Sequence, residues 1–128
     1  GDFAMNGGAN GQVATWESIT ELTTIAAASF TDTTIQIPAN ALAYAVSVRV
    51  TVVIPTATNF SVGVASAATR YGLLLDTAAG TTYAGTDDSM RFYSAATSIR
   101  LTPNILPANN SGRVRVTIFY LLINTPSS

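Results

Sequence analysis

The sequence predicts an all-β fold, an antiparallel β-sandwich of jelly-roll-like type with about seven or eight strands. Three observations carry that prediction. Two long runs, AVSVRVTVVI at 45–54 and GRVRVTIFYLLIN at 112–124, alternate with the period of two that belongs to a strand. Between them, short β-branched and aromatic stretches recur, separated by Gly, Pro and Asn turn signals. No segment sustains a convincing helical period.

Taken in order, residues 1–11 (GDFAMNGGANG) offer little to bury and read as a flexible N-terminal linker or a cloning remnant. That leaves 12–128 as a single β-sandwich domain. Met5 is a candidate native start, and a start there would make this a complete small protein. In 16–28 the spacing of Trp16, Ile19, Leu22 and Ile25 fits a helical face, with Glu17 and Glu21 in its first turns. Clustered threonines, and a turn-like interval at 29–32 before TTIQI, favour two strands instead. Pro38 ends the second strand. Residues 39–44 (ANALAY) then cross to the first long strand, which stops at Pro55.

In NFSVGVA at 59–65, Phe60, Val62 and Val64 point one way, while Gly63 permits a close approach or a bulge. Further short strands are expected at 73–76, 89–93 and 98–102, with loops carrying Gly72, residues 78–82, Gly85 and Pro103. NNSG at 109–112 is a turn leading into the last strand.

The two long strands are unusual in having two largely apolar faces. Val46, Val48, Val50, Val52 and Ile54 form one face of the first, matched by Val114, Val116, Ile118, Tyr120 and Leu122 in the last. The opposite faces read Ser47, Arg49, Thr51, Val53 and Arg113, Arg115, Thr117, Phe119, Leu121, Ile123, polar at one end and apolar at the other. A second apolar face needs a cover, so Arg49, Arg113, Arg115, Phe119, Leu121 and Ile123 are candidate subunit-interface residues.

Composition removes most enzyme chemistry. The 128 residues are 48% hydrophobic, enough for one core, and contain neither Cys nor His. Disulfides, thiolate zinc sites, Cys nucleophiles and His-dependent triads or metal cages are therefore excluded within this chain. All six basic residues are Arg, and a net charge of -1 gives no electrostatic reason to capture nucleic acid. Charged residues make up only 10%, against roughly 25% in ordinary soluble domains, so solubility rests on Thr, Ser and Asn. Such compositions are common in extracellular adhesins and virion proteins. No apolar run approaches the roughly 18 residues of a membrane span, and no signal peptide pattern is present, so a soluble protein without membrane insertion is expected.

The order of TTIQIPANALAYAVSVRVT at 33–51, TNFSVGVASAATRYG at 58–72, RLTPN at 100–104 and GRVRVTIFYLL at 112–122 resembles a C-terminal β-domain of tailed-bacteriophage tail-fibre, tail-spike and related virion structural proteins. The family-like positions are Ile37 and Pro38, 46–51, 60–64 and 70–72. The resemblance implies a virion component with attachment or structural roles, frequently a trimer, and it offers no agreed catalytic residues to carry over; no cofactor is expected. Residues 73–88 (LLLDTAAGTTYAGTDD) are longer and more acidic than the corresponding Gly-rich segment of that family.

Candidate sites are few. Asp76, Asp87 and Asp88 supply oxygens that suit calcium, but no D-x-D-x-D-G loop is present and solvated turn carboxylates are expected, with no metal required. A glycosidase pair drawn from Asp87, Asp88, Glu17 and Glu21 lacks any sign of a shared cleft. Tyr71, Tyr83, Arg91 and Tyr93 lie in or beside loops and are the residue types of a sugar-binding surface; the simpler expectation for Tyr71 and Tyr93 is that they plug the ends of the sandwich. Trp16 is expected in the core or as an interface anchor. Arg49, Arg113 and Arg115 share a face if the long strands are neighbours, with Glu17, Glu21 and Asp32 as available counter-ions, within the chain or across a threefold interface.

The function expected from sequence is non-enzymatic: a homotrimeric distal, receptor-binding domain of a tail fibre or spike that binds host-surface glycans. The alternatives are a capsid decoration or head-fibre protein that contacts other virion proteins, and a carbohydrate-binding module. Each is a binding role located on the virion except the last.

Overall fold

A computed structural model of the chain describes residues 13–87 and 90–124; the expected N-terminal linker and Asp88 lie outside them. Among the described residues nine strands form: β1 Val13–Thr24, β2 Thr31–Ile37, β3 Ala41–Val52, β4 Asn59–Val64, β5 Ala67–Asp76, β6 Thr82–Gly85, β7 Arg91–Tyr93, β8 Thr97–Pro103 and β9 Arg113–Asn124. They make two antiparallel sheets. One has the order β1-β9-β3-β6, with β7 also on β3; the other has the order β2-β8-β4-β5. The chain passes between sheets at β1/β2, β2/β3, β3/β4, β5/β6, β7/β8 and β8/β9, which is the double-sheet winding of a jelly roll. No described residue is helical, so among the described residues no helix is long and apolar enough to cross a membrane.

The strand reading of 16–28 holds as far as Thr24, because β1 pairs with β9 along its whole length, from Val13↔Asn124 to Thr24↔Arg113; residues 25–28 already belong to the turn before β2. β3 and β9 are neighbours, with Val46↔Ile118, Val48↔Val116 and Val50↔Val114, so the expected inner faces meet the core. Facing them from the other sheet are Ile37, Phe60, Val62, Ile99 and Leu101, all buried. Burying side chains of this size stabilises by about 1.5–3 kcal/mol each.

Several boundaries differ from the sequence reading. β5 begins at Ala67 and not at 73, because it pairs back on β4 as far as Val64↔Ala67. β3 begins at Ala41 and not at 45, because Asn40 adopts a left-handed φ of 67° and turns the chain directly into the strand. β3 also ends differently: a register shift between Val50 and Val52 turns Val52 outward, where it is 42% exposed. β6 forms within residues read as loop, where β3 offers an unpaired edge at Val46–Arg49. β4 and β5 pair with register shifts on either side of Val62, and a Cβ on the intervening Gly63 would collide with the backbone of Ala67 and Ala68. The close approach expected at Gly63 is present.

Thr56, exposed and β-branched, has φ 73°, a conformation that costs a non-glycine residue about 1–2 kcal/mol. After allowance for glycine's larger unfolded-state entropy, Thr56→Gly is expected to stabilise by up to about 1 kcal/mol. A higher urea midpoint at unchanged slope is the sign to look for; a lower midpoint would contradict it.

Candidate functional site

The outer face of the five-stranded sheet divides into an apolar end and an arginine end. At the apolar end, Leu42 of β3 lies opposite Phe92 of β7 on one side and Leu121 of β9 on the other, and Leu121 lies opposite Trp16 of β1. These four side chains make one row across the sheet. Alternation puts Phe119 and Ile123 on the same face, two residues to either side of Leu121. Trp16 is 62% and Phe92 56% exposed, so neither belongs to the core.

A bulge completes this surface. Ala43 pairs with Tyr120 and Ala45 with Phe119, which leaves Tyr44 as the extra residue. Its ring meets Trp16 edge-on at 5.0 Å between centroids and Phe119 at 6.1 Å. Sequence reasoning missed Tyr44, Leu42 and Phe92, since the first two fell in a presumed crossover and the third in a short strand with no assigned partner.

Toward the other end the same face becomes polar. Ser47 lies opposite Thr117, whose hydroxyl donates to Thr20 at 3.1 Å. One step further, Arg49 and Arg115 are direct cross-strand partners, flanked by Thr82 and by Leu22. Arg113 turns back on its own loop, its Nη1 donating to the carbonyls of Asn110, Ser111 and Gly112 at 2.9, 3.0 and 3.1 Å. The six residues expected at an interface therefore do share one face.

The counter-ions expected for these arginines are engaged elsewhere. Glu17 accepts from the Tyr120 hydroxyl at 2.9 Å, and Glu21 from the Thr34 hydroxyl at 2.6 Å and its amide at 2.9 Å. Burial pushes the Glu21 carboxyl up, but its bonds from Thr34 and Ile35 outweigh that and hold it below the ordinary value. Asp32 binds Arg100 through two bonds of 2.8 and 3.0 Å, while Phe30 stacks under that guanidinium at 3.6 Å.

The four residues of the expected sugar surface separate. Tyr71 is 1% and Tyr93 8% exposed, with their hydroxyls 2.9 Å apart, so their rings have no free face for a sugar. Both fill the sandwich interior, because β5 and β7 turn them inward. Tyr83 and Arg91 are exposed, and Arg91 pairs with Asp87 at 2.6 Å. Arg70 donates to the Tyr93 hydroxyl at 3.2 Å and lies 3.9 Å from Asp87. Asp76 accepts the Ala78 amide at 3.1 Å and closes a turn. Among the described residues no three carboxylates gather as a metal site.

Burial, then the hydrogen bond to Tyr93, pushes the Tyr71 hydroxyl pKa well above the ordinary tyrosine value. Below about pH 10 this tyrosine is neutral in both folded and unfolded chains; above it only the unfolded chain ionises, so stability falls as pH rises. Tyr71→Phe is expected to lower stability near neutrality by about 1 kcal/mol. The fall in urea midpoint above about pH 10 should become shallower in that variant. An equally steep fall in both proteins would refute this assignment.

No family model and no curated protein matches the chain. Among solved structures, a chain of the cyanophage Pam1 capsid asymmetric unit is similar with a TM-score of 0.59 at 22% identity, over 87% of this chain and 84% of that one. A chain of the acidic stable capsid of Helicobacter pylori bacteriophage KHP30 is similar with a TM-score of 0.58 at 16% identity, over 91% of this chain and 99% of that one. At such identities the likeness is one of fold. Neither neighbour is a tail fibre or spike, so the finer resemblance to a tail-fibre end domain gains no support from them. The chain has the fold of jelly-roll chains found in phage capsids.

Proposed function

We propose that this protein is a non-enzymatic structural component of a phage virion, a capsid protein of the decoration or head-fibre kind, and not the distal domain of a tail fibre. The observation that carries the proposal is the exposed row Phe92–Leu42–Leu121–Trp16 on a jelly roll whose structural neighbours are capsid chains. A soluble chain that exposes such a row on a rigid sheet is built to be covered. The match over 99% of the KHP30 chain adds that a jelly roll of this extent makes up nearly all of one capsid chain.

In this reading the apolar end, including Phe119, Leu121 and Ile123, is buried against a second copy in a homotrimer. A trimer then presents three copies of any remaining contact to the shell, and weak contacts act together through avidity. The mechanism is binding and cementing, and no bond is made or broken.

Light scattering on the purified chain and co-sedimentation with capsids lacking this protein test the proposal. A trimer that sediments with capsids is the expected result. A monomer that ignores capsids and binds host-cell glycans would replace it with the attachment reading.

A further inference from the structure

We infer that the arginine end of the outer sheet face is a carboxylate-binding site, in which Arg49 and Arg115 together take an acidic side chain of the capsid protein on which the trimer sits. The identity of that partner rests on the proposed function; the site itself rests on the geometry.

Like charges placed directly opposite across a strand pair are destabilising, yet Arg49 and Arg115 occupy such positions and both are exposed. The two are also poorly supplied with acceptors. Arg49 Nη1 donates to the Thr82 hydroxyl at 3.0 Å, and Arg115 has no hydrogen bond or ion pair with any described residue. Every other arginine is provided for: Arg70 and Arg91 by Asp87, Arg100 by Asp32, and Arg113 by three carbonyls.

The described carboxylates of a second copy are poor sources of the missing anion. The described carboxylates are all engaged at home, Glu17 by Tyr120, Glu21 by Thr34, Asp32 by Arg100, Asp76 by Ala78 and Asp87 by Arg91. Register also turns Glu17 and Glu21 to the opposite side of β1, since they pair with the inward residues Tyr120 and Val116. A different, acidic protein surface supplies what this face lacks. Arginine suits that partner, because two planar guanidinium groups on fixed strands hold a carboxylate by several directed bonds. Leu22, 45% exposed and opposite Arg115, gives the site an apolar flank that excludes water and strengthens those bonds.

The test uses the purified, isotope-labelled full chain and a blocked tetra-glutamate peptide, with tetra-glutamine and inorganic phosphate as controls. At low salt the Nε–H resonances of Arg49 and Arg115 should move with tetra-glutamate and not with tetra-glutamine, and about 0.5 M NaCl should abolish the response. Arg115→Gln is expected to weaken peptide binding about tenfold, the loss of one charge-assisted contact, while Arg91→Gln leaves it unchanged. An equal response to tetra-glutamine, an unaltered response in Arg115→Gln, or a response to phosphate alone would overturn the carboxylate site. In capsid co-sedimentation the Arg115→Gln trimer should keep its mass and lose binding. Peptide binding by a wild-type trimer that ignores capsids would instead overturn the capsid partner and leave the site standing.

Discussion

Gly85→Ala is expected to cost at least about 3 kcal/mol, the upper end of what overpacking costs, for the addition of a single methyl group. Gly85 ends β6 and pairs with Val46, at the margin where the five-stranded sheet closes over β5. A Cβ there would fall on the backbone carbonyl of Tyr71 and lie 3.1 Å from the Tyr83 ring. A flexible side chain can swing away from a new methyl, but a backbone carbonyl can yield only if β6 lifts off β5. That movement opens the sandwich above Tyr71, one of the largest fully buried side chains. With total stabilities of about 5–15 kcal/mol, such a loss should lower the melting temperature by about 10 °C or more. Gly80→Ala is the informative control, since Gly80 has φ 96° but nothing within 4 Å of its would-be Cβ. It should cost only the left-handed penalty of about 1–2 kcal/mol. Melting of Gly85→Ala within a degree or two of wild type would show that the sheets are not closed at this edge.

The parts of the fold legible in the sequence are those set by side-chain alternation over a long run. Val114 to Leu122 alternate without interruption, so both faces of β9 followed from parity, and the arginine and apolar ends of the outer face with them. Gly63 was legible because a glycine inside an alternating strand marks a bulge or a close backbone approach. Parity fails where a bulge shifts it. The extra residue Tyr44 placed that ring on the outer face, and the shift before Val52 moved a valine out of the core. β6 escaped because a four-residue edge strand is held by the open edge of β3 and not by its own propensity.

The candidate site divided along the same line. Interface residues on β3 and β9 could be placed on one face from sequence, whereas Phe92 and Trp16 joined the row only once pairing brought β7 and β1 to the same sheet. Tyr71 and Tyr93 are expected from sequence in or beside loops, as plugs at the ends of the sandwich or as sugar-surface residues, because the sequence reading starts the strand that carries Tyr71 only at 73, whereas it begins at Ala67. Their burial is a tertiary fact, fixed by the opposing hydroxyls and the closure of two sheets. The resemblance to tail-fibre domains shared this limit. Short alternating strands in a given order specify a fold, and a fold alone does not separate a fibre end from a capsid protein.

Combining Trp16→Asp with Leu121→Asp should break the proposed trimer into folded monomers. The two residues lie side by side in the exposed row, opposite one another across β1 and β9. Covering a large apolar side chain contributes about 1.5–3 kcal/mol, so losing both should weaken each subunit contact by about 4 kcal/mol, roughly a thousandfold in association. Two carboxylates brought into the contact add a desolvation cost in the same direction. Effects on the isolated fold should be small: Trp16 is 62% exposed, and the core residues of β9, Val114, Val116 and Ile118, point the other way. The discriminating measurement is therefore a pair, mass by light scattering and melting in the monomeric range of concentration. Monomers that still melt cooperatively would place the copy-to-copy contact on this row. A trimer of undiminished stability would mean that the contact lies elsewhere, and that the apolar row is free to meet the capsid itself, beside the arginines that share its face.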